Sequence, residues 1–289
     1  MQLIVLIFGS GLAFFLGVGC VLAAVGASFG RWWGWTTLST ILAALGVIVV
    51  VLLGTPLPVW YYAFAIALTA VWMVCVRLTT WKIRHWQRSL AAAVAVAWAV
   101  GALFEFQFHI MPDVPTVTSH RLYLFGDSLA AGVNDDTSHN WPQLLALSHK
   151  LDMADFSRAG ATTAMALRAA RGVSFDDGVV LLEIGGNDLL GSTSAEQFER
   201  DLDALLNQVS QSGMQVVMFE LPIPPLHNGY GGVQRRLAAK YQMSLIPKRV
   251  LTSIIAGNGS TIDSLHLSAE GHREMAEAVW NAIGSAYDR

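Results

Sequence analysis

Residues 122–132 read LYLFGDSLAAG, four apolar or aromatic residues running directly into Gly126-Asp127-Ser128 and then into a small-residue segment. The pattern fits a buried strand that stops in a tight turn. Gly, Asp and Ser are also ordinary turn formers, so the stretch alone says little about chemistry. A serine becomes a nucleophile only if the chain also supplies an imidazole base, an acid to orient it and donors for an oxyanion. The flanking sequence is therefore read for those groups.

From Arg121 onward, strand-like and helix-like patterns alternate. NWPQLLALSHK reads as a helix with Asn140 as N-cap and Pro142 in its first turn. MADFS is a short strand and ATTAMALRAA an alanine-rich helix. GVVLLEIG is an apolar strand of the kind buried on both faces. SAEQFERDLDALLNQVSQSG is an amphipathic helix closed by Gly213, and MQVVMFELP is a further buried strand. GGVQRRLAAKYQ and SAEGHREMAEAVWNAIGSAYD are helical. This alternation predicts an α/β fold, a parallel sheet with helices on both faces. Sites in such sheets lie at the carboxyl ends of the strands.

Polar, small-residue punctuation falls at those ends: GDS after the first strand, SRAG after the second, GGND after the third. DSLHLSAEGH precedes the last helix, with Asp263 and His266 three apart. Each could be turn chemistry in isolation. Together, and in this order, they make residues 120–287 resemble the SGNH hydrolases, also called GDSL esterases and lipases. The resemblance implies a three-layer α/β/α, flavodoxin-like domain and assigns roles. Ser128 matches the nucleophile, and Asp263 and His266 match the acid and base. The oxyanion hole corresponds to the Ser128 and Gly160 main-chain N–H groups and the Asn187 side-chain amide. The second block departs most, because Arg158-Ala159 precedes Gly160 where an asparagine often stands. The physical logic agrees: His266 would take the serine proton, Asp263 would hold the imidazole tautomer, and Asn187 can donate without adding charge.

Of the eight histidines, His85, His109, His120, His139, His149 and His272 read as surface or structural. His227, in PIPPLHNGYGG after the fourth strand, occupies a rim position and is a candidate substrate contact. Structural hydrogen bonding is the expected role of Asp127 and Asp188. No Cys/His cluster or His-x-x-x-His spacing occurs after the linker, so neither a metal nor another cofactor is indicated.

Outward from this domain the composition changes. Residues 1–108 hold five basic residues and one acidic residue, Glu105, whereas the chain after residue 116 holds 13 basic and 19 acidic residues. The net charge of −3 conceals that split, and no basic stripe suggests nucleic acid. Apolar runs at about 3–26, 36–54 and 58–76, and a weaker one at 89–108, approach the ~20 residues a spanning helix needs. Residues 1–110 are thus expected to be a transmembrane region and MPDVPTVTS (111–119) a short Pro-rich linker, with the SGNH-type domain over 120–289. A removable signal peptide fits poorly, since the first run lacks a basic n-region and is too long.

The loop RLTTWKIRHWQRS carries four of the five basic residues and should face the cytoplasm. Four spans then put both termini, and the catalytic half, on the extracytoplasmic side of the plasma (inner) membrane. If the fourth run lies along the interface instead, that half faces the cytoplasm. The leading expectation is a membrane-anchored serine esterase acting on acyl lipids or O-acylated envelope glycans through an acyl-Ser128 intermediate. Acyl transfer to a sugar or alcohol uses the same groups, and a non-catalytic membrane assembly protein that kept the fold is the third reading.

Overall fold

Strands buried on both faces must be apolar throughout, and the three uninterrupted apolar runs of the second half form the centre of one sheet. A computed structural model of the chain describes residues 2–30, 33–52, 55–78, 84–132, 139–211, 213–224, 227–257, 259–262 and 266–288. By compactness the chain divides into two units: Met1–Ser10, Ile110–Ile223 and Gly229–Arg289 form one, and Gly11–His109 with Pro224–Asn228 form the other.

The helical elements of the first half are α1 (Gln2–Gly9), α2 (Leu12–Ala27), α3 (Trp33–Leu52), α4 (Val59–Arg77) and α5 (Arg84–Phe106). The first apolar run is therefore two helices, divided at Ser10-Gly11, where Gly11 takes a left-handed φ of 83°. Hydropathy cannot see this break, because both pieces are equally apolar. Helices α2 to α5 form the helical unit, around Phe14, Val21, Val50, Trp72, Val94 and Trp98. Where α2 and α3 meet, an added Cβ at Gly46 would lie 2.5 Å from the Gly17 oxygen, so close approach requires glycine there. Trp98 Nε1 donates to Thr69 Oγ1 (2.9 Å), tying α5 to α4. Leu16, Ile41, Phe64, Val96 and Leu103 face outward. Gly34–Leu52, Val59–Arg77 and Trp86–His109 are each long and apolar enough to cross a bilayer, and α2 is shorter. An apolar exterior on such helices is consistent with a membrane region.

The sheet unit contains β1 (Arg121–Gly126), α6 (Ser128–Ala131), α7 (Trp141–His149), β2 (Asp152–Asp155) and α8 (Thr163–Ala170). It continues with β3 (Gly178–Glu183), α9 (Gly186–Leu190), α10 (Ala195–Val209), β4 (Met214–Phe219) and α11 (Asn228–Tyr241). It ends with β5 (Ser244–Ile246), α12 (Lys248–Ile255) and α13 (Ala269–Ile283). The five parallel strands run in the order β2-β1-β3-β4-β5. Alternation sorts their side chains to two faces. Leu122, Leu124, Leu181 and Phe219 meet α7, α12 and α13 on one side. Tyr123, Phe125, Leu182 and Met218 meet α8, α10 and α11 on the other. Each such side chain contributes about 1.5–3 kcal/mol by burial. This is the expected three-layer arrangement.

Helix α7 begins as expected: Asn140 and Gln143 form a reciprocal capping box, and Pro142 sits in the first turn. Helix α10 ends at Val209, short of Gly213, which instead takes a φ of 88° in the turn into β4. Strand β5 and helix α12 were not expected from the sequence. Helix α1 packs on α12, with Gly9 so near Thr252 that an added Cβ would lie 2.9 Å from Thr252 Cγ2.

Candidate active site

The carboxyl ends of β1, β2 and β3 gather the predicted groups. Ser128 follows β1 as the first residue of α6, and Asp127 caps that helix by accepting from Leu129 N (3.0 Å). Ser128 is half-buried and makes no hydrogen bond through its hydroxyl among the described residues. Catalytic bonds of this kind commonly tighten only once substrate is bound.

Gly160 lies in the turn after β2. Ala161 N donates back to the Arg158 carbonyl (2.9 Å), and Arg158 N donates to the Gly126 carbonyl (3.1 Å), tying the turn to the end of β1. Gly160 has a φ of 73°, the conformation a glycine takes without strain. Among the described residues the N–H groups of Ser128 and Gly160 have no protein acceptor. Two free N–H groups at adjoining strand ends can receive an oxyanion.

Asn187 opens α9 after β3. Its Nδ2 donates to Asp127 Oδ2 (3.1 Å) and to the Ala161 carbonyl (3.0 Å), joining all three strand-end turns. Gly186 permits this: an added Cβ there would press to 3.3 Å from Asp127 Oδ2. The neighbouring Asp188 is structural, accepting from Thr163 N (2.8 Å) and Thr163 Oγ1 (3.0 Å).

His266 is presented by the loop before α13, whose stem is closed by Ile262 N donating to the His266 carbonyl (2.8 Å) and by the Thr261–Leu267 bridge. The ring lies near enough to Asp127 to favour that carboxylate electrostatically, although burial is the larger effect and raises the Asp127 pKa. Asp263 lies outside the described residues. His227 falls in Pro224–Asn228, which groups with the helical unit, and its N–H donates to the Pro224 carbonyl (3.2 Å). The structure thus brings together Ser128, Gly160, Asn187 and His266.

Sequence reasoning missed one member of this cluster. Glu183, the last residue of β3, is buried with its Oε2 accepting from Asp127 N (3.2 Å). Burial first, and then the Asp127 charge, raise its pKa well above the ordinary value. Its signal in the sequence was a charge at the end of an otherwise apolar strand. Beside the Gly160 turn lies a cavity of about 320 Å³, lined by Phe125, Phe156, Met165 and Ala166 with Arg158 and Arg168.

A parallel sheet of this order, with Ser128 in the turn after its first strand and Gly160 and Asn187 in the next two, is the frame of a serine hydrolase acting on ester bonds. The chain belongs to the GDSL-like lipase/acylhydrolase family, whose pattern matches residues 124–274. It is 28% identical to an arylesterase of Vibrio mimicus over 173 residues, covering 56% of this chain and 86% of that one. It is 23% identical to esterase TesA of Pseudomonas aeruginosa over 182 residues, covering 57% and 88%. In fold it is similar to the psychrotrophic esterase EstA from Pseudoalteromonas sp. (TM-score 0.52, 19% identity, covering 57% of this chain and 97% of that one). These likenesses concern the sheet-bearing half.

Proposed function

We propose that this enzyme is a membrane-anchored esterase that cleaves acyl esters through an acyl-Ser128 intermediate. The observation that carries the proposal is the convergence of Ser128, Gly160, Asn187 and His266 at the carboxyl end of one sheet, with no acceptor for the Ser128 and Gly160 N–H groups among the described residues. In the first step Ser128 Oγ bonds to the ester carbonyl carbon and its proton passes to His266. The carbonyl oxygen, now an oxyanion, takes hydrogen bonds from Ser128 N, Gly160 N and Asn187 Nδ2. The C–O bond to the alcohol breaks, and the alcohol leaves with the proton from His266. Water then attacks the acyl-enzyme, again giving its proton to His266, and the carboxylic acid departs as Ser128 is restored. Asp263 is assigned to hold the imidazole tautomer and stabilise the imidazolium.

The substrate class we assign is an acyl lipid or an O-acylated glycan of the envelope, because outward-facing apolar helices and a short linker would keep the domain near a bilayer surface. The basic loop between α4 and α5 supports an extracytoplasmic domain at the plasma (inner) membrane, with the helices crossing it several times. The test is labelling by a fluorophosphonate in wild type and in Ser128→Ala. Labelling lost with the hydroxyl supports the proposal, and persistent labelling of the alanine variant sinks it. Product analysis with added sugar or alcohol acceptors would reveal acyl transfer in place of hydrolysis.

A further inference from the structure

Glu183 is 4% exposed, and none of the steps above uses it. A buried carboxyl group is costly unless hydrogen-bonded. Its partner is Asp127, itself 6% exposed, whose N–H is shared between the Glu183 carbonyl (3.1 Å) and Glu183 Oε2 (3.2 Å). Neighbouring carboxylates resist joint ionisation, and burial and the Asp127 charge both favour the neutral form of Glu183. The charge belongs on Asp127, which also accepts from Leu129 N (3.0 Å) and Asn187 Nδ2 (3.1 Å) and lies within electrostatic reach of His266. Glu183 is left as the neutral acid.

We propose that Glu183 is a positioning residue for the oxyanion site, acting through Asp127: its buried carboxyl group fixes Asp127 at its main-chain N–H, and the Asp127 side chain fixes the first turn of α6 and the Asn187 amide. This rests on the assignment of Ser128 and Asn187 made above. The consequence lies in the transition state. Asn187 Nδ2 serves two acceptors, Asp127 Oδ2 at 3.1 Å and the Ala161 carbonyl at 3.0 Å, which matches its two hydrogens. An arriving oxyanion must displace or share one of them. The bond to a charged carboxylate is the stronger, so Ala161 yields. The amide is then aimed by Asp127 alone, and the aim is only as good as the hold on Asp127. Loss of that hold should therefore weaken the transition state more than the bound substrate.

The experiment uses the full-length protein in detergent with p-nitrophenyl butyrate. Glu183→Met replaces the carboxyl group with an apolar side chain of similar size. The expected result is a melting temperature equal to or above wild type, with kcat lower by about 10- to 100-fold and KM little changed. Glu183→Gln, which keeps a neutral donor and an acceptor, should restore most of kcat. Adding Glu183→Met to Asp127→Ala should slow that variant no further, because the two residues act in series.

Wild-type turnover in Glu183→Met overturns the proposal. So does a Glu183→Gln variant as slow as Glu183→Met, or a loss that appears in KM alone. If the methionine variant does not fold, Glu183→Ala takes its place under the same criteria. Ser128→Ala and Asn187→Ala run alongside: wild-type turnover in the first removes the nucleophile assignment and in the second the oxyanion assignment, whereas wild-type turnover in Glu183→Met alone removes only its positioning role.

Discussion

Alanine in place of Gly126 tests whether the end of β1 is packed as tightly as the geometry requires. The added carbon would lie 2.5 Å from Ala130 Cβ, 2.7 Å from Ser157 Oγ and 3.2 Å from Glu183 Oε2. The Ser157 hydroxyl can rotate away. Ala130 Cβ cannot, because it is fixed to α6, and Glu183 is enclosed. Carbon atoms in comfortable contact sit about 3.5–4.0 Å apart, so α6 and the strand end must separate by about 1 Å. Overpacking of this kind costs about 1–3 kcal/mol. At ~2–4 °C per kcal/mol for a unit of this size, the melting temperature should fall by about 2–12 °C. Ser128 opens α6 and moves with it, and a misplacement of about 1 Å can lower turnover on the order of 100-fold. Differential scanning fluorimetry gives the first quantity, and p-nitrophenyl acetate hydrolysis well below the variant's midpoint gives the second. Gly172→Ala is the control, since its added carbon would meet nothing nearer than the Ala169 oxygen at 3.9 Å. A Gly126→Ala enzyme that melts and turns over like wild type would refute the packing argument. Lower stability with unchanged kcat would show that the strain relaxes away from Ser128.

Asn187→Ala should lower kcat by about 10²- to 10³-fold with little change in KM, the loss expected for one oxyanion donor; steady-state kinetics on a short ester checks it. Arg235 pairs with the buried Glu220 at 2.7 Å, so Arg235→Met should destabilise the fold by about 3–5 kcal/mol, and adding Glu220→Gln should recover much of that in denaturant melts. His272 Nδ1 accepts from Trp141 N (3.2 Å), which requires a neutral ring, and burial lowers its pKa from the ordinary 6.5. The unfolded chain therefore takes up this proton first, and stability is full above the unfolded value and declines as pH falls toward the folded one. Melts across that range should show the decline in wild type and less of it in His272→Gln.

Much of the fold was legible because burial on both faces leaves little choice of residue. Strands β1, β3 and β4 each centre on an uninterrupted apolar run (122–125, 179–182 and 216–219), and the groups around Ser128 lie in the turns that end β1 to β3. Strand β5 was not legible, since Ser244–Ile246 is three residues long and is a strand only because it pairs with residues 217–219 of β4. Helix α12 followed it out of view. The division of the first apolar run at Gly11 is conformational and leaves hydropathy unchanged. At the site, Ser128, Asn187 and His266 stood out as polar residues in turns, and Gly160 as a glycine in one. Glu183 did not, because its role depends on a neighbour 56 residues away, and only the parallel pairing of β1 with β3 brings the two together.

The two outer strands carry a further consequence. A sheet edge offers unpaired peptide groups to any other edge it meets, and long apolar edges invite fibrous self-association. Here β5 spans only Ser244–Ile246, and β2 is the four-residue DMAD, with Asp152 and Asp155 both exposed. A second copy approaching β2 edge-on would set carboxylate against carboxylate before a ladder could form. That margin of the domain is thereby kept unreceptive to its own kind.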